Sequence, residues 1–151
     1  MKILLAIDDS AYSTAAVDEV GKRLFPPGTE VRIITVVDTR AWASSPGIWG
    51  AVDVPYDMTD NSKFSQNLLN NAVKNLSENN PLVIVTTKLM EGSPKTAILE
   101  EAELWNADLI IVGSHGYGAI DRFLLGSVSH AVSLHAKCSV EIFRIKNKVN
   151  K

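Results

Sequence analysis

The sequence predicts an α/β domain: a doubly wound, five-stranded parallel sheet with helices on both faces. Three observations lead there. Short continuous apolar runs recur along the chain, stretches with helical spacing separate them, and capping or turn residues stand at the junctions. A strand covered on both faces meets water on neither, so it reads as an unbroken apolar run.

The first run, Ile3 to Ile7, ends abruptly in Asp8-Asp9-Ser10. Helical spacing follows from Thr14 to Leu24, with Ser10 or Ser13 as its cap. The second strand is Val31 to Val37. Thr39 to Ser62 has no periodicity and carries Trp42, Pro46, Gly47, Trp49, Gly50 and Pro55, so it reads as a long loop, either a lid or partner contact or plain surface packing. A second helix is expected over Phe64 to Leu76. The third strand, Val83 to Leu89, mixes threonine with apolar residues, which suits either a position nearer an edge or less complete covering. Ser93-Pro94 opens a third helix running from Thr96 to Trp105, with proline in its first turn. Leu109 to Val112 is the fourth strand, Val128 to His135 the fourth helix with Ser127 ahead of it, and Val140 to Ile145 the fifth strand. Alternation of strand and helix throughout is the pattern of parallel crossovers.

At 151 residues the chain has the length of one domain, expected over residues 1–146 with a short basic tail at 147–151. A net charge of −2 gives no footprint for nucleic acid. The first apolar run is too short and too soon acidic for a leader or a membrane span. Cys138 is the one cysteine, which favours a reducing compartment, and a cytoplasmic location is expected. That cysteine reads as a small core residue.

The residues most able to carry chemistry follow the fourth strand, in Gly113-Ser114-His115-Gly116-Tyr117-Gly118, with Gly126-Ser127 opening the next helix. Glycines permit positive φ and close approach of backbone to an oxygen, and a helix start offers free N–H groups and partial positive charge. In open α/β sheets ligands bind beyond the carboxyl ends of the strands, where the strand order reverses. The hydroxyls of Ser127 and Ser129 can add donors. The competing reading is that these glycines serve only a tight strand exit and close helix packing, with no ligand. There is no Gly-x4-Gly-Lys-Ser/Thr pattern, and no glycine follows the first strand, so neither common nucleotide loop is present. Asp8 and Asp9 should diverge at a strand end, which disfavours a paired-carboxylate acid/base site. His130 and His135 fall on different helix faces. His115 reads equally as a phosphate contact or as a solvent-exposed loop residue. Arg122 reaches phosphate or an intersubunit carboxylate, while Phe123 to Leu125 pack beneath the loop.

Gly113-x2-Gly116-x9-Gly126-Ser127 resembles the ATP-binding pattern of the universal stress protein family. The likeness extends over Lys2 to Ser10, Val31 to Asp38, Gly92-Ser93-Pro94 and Asp108 to Gly116, and into the closing segment His135 to Val140. Lys137 and Ser139 stand there where prolines are usual. The resemblance implies a Rossmann-like, adenine nucleotide alpha hydrolase-like sheet of order 3-2-1-4-5. It also implies that Asp8 contacts ribose, that Val36 offers backbone groups to adenine, and that Gly113, Gly116, Gly126, Ser127, Val128 and Ser129 hold ribose and phosphates. ATP, or ADP or AMP, is the implied ligand, with Mg²⁺ or Mn²⁺ bridging the phosphates. A homodimer through the final strand, Val140 to Ile145, is expected as well, because an apolar edge strand invites pairing. The expected role is a nucleotide-dependent regulatory switch with at most slow hydrolysis. The alternatives are a metal-dependent nucleotide hydrolase using Asp9 or His115, and a nucleotide-free dimeric interaction module.

Overall fold

The computed structural model describes residues 1–38, 58–115 and 125–145, without the side chains of 58–61. Five strands, β1 (Lys2–Ala6), β2 (Glu30–Val37), β3 (Ile84–Glu91), β4 (Leu109–Gly113) and β5 (Ser139–Phe143), form one parallel sheet of order β3-β2-β1-β4-β5. The helices are α1 (Ala11–Lys22), α2 (Met58–Asn79), α3 (Pro94–Trp105) and α4 (Ser127–His135). The expected fold and strand order are the observed ones.

Strand alternation divides the core into two layers. Ile3, Leu5, Val31, Ile33 and Ile111 face α1 and α2, where Val17, Val20, Leu69 and Leu76 meet them. Leu4, Ala6, Ile34, Ile110 and Val112 face the other way, onto Ile98, Ala102 and Trp105 of α3 and Val132 of α4. β1 lies in the middle of the sheet with Ile3, Leu4 and Leu5 wholly buried, as an uninterrupted apolar run requires. β3 is an edge strand, and its threonines are exposed, which explains its mixed composition.

Several boundaries depart from expectation. α1 stops at Lys22 because Arg23 turns extended ahead of Pro26-Pro27, leaving Leu24 fully exposed outside the helix. α2 begins at Met58, so residues 58–62 are helical and the expected loop is shorter at that end. Trp42 and Trp49 lie outside the described residues, as do Gly116, Asp121 to Leu124 and the expected tail at 147–151. Ser127 is the first helical residue of α4, and the cap itself is Gly126. α3 closes on Asn106 at φ 55°, a left-handed position that asparagine tolerates.

One charged group sits deep in the second layer. Glu101 of α3 is only 1% exposed and accepts from Arg32 of β2 at 2.6 Å and Lys88 of β3 at 2.5 Å. The Arg32 guanidinium also lies 4.3 Å from the centre of the Trp105 ring. Burial pushes the Glu101 carboxyl up, but the bonds from Lys88 and Arg32 outweigh it and hold the group below its ordinary range. This cluster ties α3 to β2 and β3.

Candidate functional site

The site begins where β1 ends. Asp8 Oδ1 accepts from the Ser10 N–H at 3.2 Å, the Ser10 hydroxyl at 2.5 Å and the Ser13 hydroxyl at 2.6 Å. The first of these is an Asx turn, and it explains why an acidic pair can break an apolar strand so sharply. The Ser10 hydroxyl in turn accepts from the Ser13 N–H at 3.2 Å and caps α1, so Ser10 is the cap of the two candidates. Asp8 is therefore held in one orientation by the start of α1, while Asp9 is exposed.

The second part is the passage from β4 to α4. The Ser114 N–H donates to the Phe143 carbonyl of β5 at 2.7 Å, and the Ser114 carbonyl accepts from the Gly126 N–H at 2.8 Å. These two bonds bring the start of α4 back onto the end of β4. Within α4 the His130 N–H reaches the Gly126 carbonyl, so the N–H groups of Ser127, Val128 and Ser129 precede the first intrahelical bond. Gly126 has no side chain to cap this helix, and none caps it among the described residues. The Ser129 hydroxyl lies 3.0 Å from both the Ser114 and the Gly126 carbonyl, to which it donates, so it braces the turn. Ser127 is exposed at the helix start.

Of the loop glycines, Gly113 and Gly126 work by close approach, not by unusual φ. Among the described residues positive φ at glycine occurs only at Gly28 and Gly92. A Cβ on Gly113 would stand 3.0 Å from the Tyr12 Cβ, and one on Gly126 would stand 3.2 Å from the Ser114 carbonyl oxygen. At both positions a side chain would fit only if its neighbour gave way by a few tenths of an ångström.

These parts surround a cavity of about 560 Å³ at the carboxyl ends of β1, β2 and β4, where the strand order reverses between β1 and β4. Asp8, Val36, Gly113, Gly126, Ser127, Val128 and Ser129 all line it. Of the expected site residues only Gly116 falls outside the described residues. Ala6, Ile34, Val112 and Ile98 supply apolar walls.

Val36 offers its backbone here for a reason visible in the ladder. The Ile34 carbonyl points toward β1 and accepts from the Ile7 N–H at 2.9 Å, whereas the Val37 carbonyl points toward β3 and accepts from the Gly92 N–H at 2.9 Å. Alternation turns the N–H and C=O of Val36 back to the side of β1, whose ladder has already ended at Ala6 opposite Ile34. A donor and an acceptor thus stand side by side above an apolar slot.

Charge is unevenly spread. Two carboxylates, Asp8 and Asp38, line the β1 and β2 side, the helix start with its N–H groups forms the other, and no lysine or arginine lines the cavity among the described residues. His115 also lines the wall. Its Nδ1 is 3.1 Å from the Ser114 hydroxyl, its ring is tilted 5.2 Å from that of Tyr12, and its buried Nε2 has no partner among the described residues. It is half-buried, which removes the solvent-exposed reading. Cys138 packs against the second core layer, and burial pushes its thiol up, as suits a core residue. Among the described residues no three histidine, cysteine or acidic side chains cluster as metal ligands would, and no helix is long and apolar enough to cross a membrane.

Sequence reasoning missed Asp38, Ser13, Pro94 and Ile98 as cavity residues. Asp38 was within reach of it, being two residues past Val36 at the carboxyl end of β2. Pro94 and Ile98 come from α3 and are brought in by tertiary packing alone.

Comparison with known proteins agrees with this architecture. A universal stress protein of Staphylococcus aureus (strain USA300) is 35% identical over 147 residues, covering 94% of this chain and 82% of the relative. The solved structure of hypothetical protein MJ0577, the subject of a structure-based functional assignment, superposes with a TM-score of 0.82 at 26% identity, covering 97% of each chain. A universal stress protein family member from Arabidopsis thaliana, solved with AMP bound, superposes with a TM-score of 0.68 at 20% identity, over 99% of this chain and 95% of the other. The profile of the universal stress protein family matches residues 1–144, and this chain therefore belongs to that family.

Proposed function

We propose that this protein binds an adenine nucleotide, ATP or its products ADP and AMP, and serves a stress response as a nucleotide-dependent switch. The observation that carries the reading is the cavity that gathers Asp8, the turned-back Val36 backbone and the N–H groups at the start of α4 around one apolar slot. Its volume lies within the usual range for small-molecule sites, roughly 300–1,000 Å³. Phosphates suit the N–H groups of Ser127, Val128 and Ser129, where the helix dipole favours an anion. Asp8, fixed by Ser10 and Ser13, accepts from ribose hydroxyls, and the Val36 donor and acceptor pair with the adenine edge. The Arabidopsis relative with AMP supports the ligand class.

A divalent ion, Mg²⁺ or Mn²⁺, would be carried by the phosphate oxygens, since no dedicated ligand cluster is present among the described residues. Hydrolysis is at most slow in this reading. Residues 1–146 act as one nucleotide-binding domain with 147–151 as its tail, in the cytoplasm. β5 is a sheet edge, and a homodimer formed along it satisfies its open backbone groups. Sedimentation equilibrium across a concentration series checks the dimer.

A second reading, a nucleotide-free dimeric module, draws on one observation: Gly113 and Gly126 have packing reasons of their own. Calorimetric titration with Mg-ATP and AMP separates the two. Binding at or below millimolar concentration is expected, and its absence for both nucleotides favours the module.

A further inference from the structure

We infer that Asp38 selects the base: its carboxylate accepts a proton of a purine 6-amino group, so the site prefers adenine over 6-oxo purines. The inference rests on the nucleotide reading above and deepens it at one position. Asp38 is the first residue past β2 and lines the same cavity as Val36, two residues along the chain. Strand rise sets the two roughly 7 Å apart, which keeps a carboxylate oxygen of Asp38 and the carbonyl of Val36 within reach of one base edge.

The chemistry of that end is one-sided. Asp8 and Asp38 make it anionic, while the phosphate-compatible N–H groups stand across the cavity on α4, and no lysine or arginine intervenes among the described residues. A nucleotide is therefore oriented with its anionic end on α4 and its donor groups toward β1 and β2. Adenine presents two N6 protons, one for the Val36 carbonyl and one for Asp38. Hypoxanthine and guanine present an oxygen at that position, facing a carbonyl and a carboxylate that both repel it. Asp38 also has an interaction within the protein, but a carboxylate has about four lone-pair sites and keeps acceptor capacity beyond it.

Titration calorimetry of the full chain with ATP, ITP and GTP at fixed Mg²⁺ tests this, on wild type, Asp38→Asn and Asp38→Ala. Wild type is expected to prefer ATP over ITP and GTP by on the order of 10- to 100-fold, the effect of one charge-assisted hydrogen bond. In both variants that ratio should contract by about tenfold, through weaker ATP binding and stronger ITP binding, with thermal midpoints near wild type. An unchanged ATP-to-ITP ratio overturns the inference and leaves the nucleotide reading standing. An equal loss for all three nucleotides also overturns it, assigning Asp38 to the ribose. If wild type binds none of the three at millimolar concentration, the nucleotide reading falls and the inference falls with it.

Discussion

Replacing Ser127 by aspartate places a carboxylate at the first helical position of α4, where no side chain of the described residues caps the helix and no acidic residue occupies the first turn. Ser127 is exposed, so the fold has no packing objection. For the helix the change is favourable, since a negative charge at an N-terminus contributes about 0.3–1 kcal/mol. For a bound phosphate it is not. At a separation of roughly 5–7 Å and an effective dielectric near 20, each unit of phosphate charge is repelled by about 2–3 kcal/mol. That corresponds to roughly 30- to 150-fold weaker binding of a phosphorylated ligand. Paired calorimetry with AMP and adenosine isolates the effect: AMP should weaken by that factor, adenosine should not, and the thermal midpoint should hold or rise. The AMP penalty should also shrink at high salt, where exposed charges are screened. Unchanged AMP affinity, or an equal loss for adenosine, would refute the assignment of phosphate to the start of α4.

Glu101→Gln keeps shape but removes the charge shared by Arg32 and Lys88, and should cost about 1–2 kcal/mol, the lower figures of buried pairs applying because both cations reach solvent. Because the folded carboxyl titrates below its unfolded counterpart, this stability is present above the unfolded pKa, about 4.3, and is lost as pH falls through the folded value. Urea unfolding should accordingly separate wild type from variant at pH 7, and the gap should narrow as pH falls below the unfolded value and through the folded one, whereas a gap constant with pH would contradict the coupling. Gly113→Ala pushes a methyl onto Tyr12 and should destabilise by roughly 1–3 kcal/mol in thermal melts even without nucleotide. A neutral result there would mean that α1 can shift to make room.

Much of the architecture was legible because it is written locally. The unbroken runs at Ile3 to Ile7 and Leu109 to Val112 became central strands since burial on both faces tolerates no polar residue. The threonines of β3 marked an edge for the converse reason. Helix ends were less readable: Thr39 to Ser62 has no periodicity, yet α2 starts at Met58, where the Met58–Ser62 segment carries only one apolar residue to signal it. Glu101 was invisible as a core residue, because a glutamate in a helix reads as solvated until Arg32 and Lys88 are brought beside it from two strands.

The same division holds at the site. By itself the sequence determined the residue types that can meet a phosphate, glycines after β4 and a helix opening on serine, and an acidic turn after β1 that the family resemblance ties to a ribose. Only the tertiary structure decided that Asp8, Val36 and the start of α4 share one cavity, that Gly113 and Gly126 answer to close packing, and that Ser129 braces the turn. The reason is physical: local spacing specifies strands and helices, whereas a cavity is defined by segments far apart in the chain, and only packing brings those together.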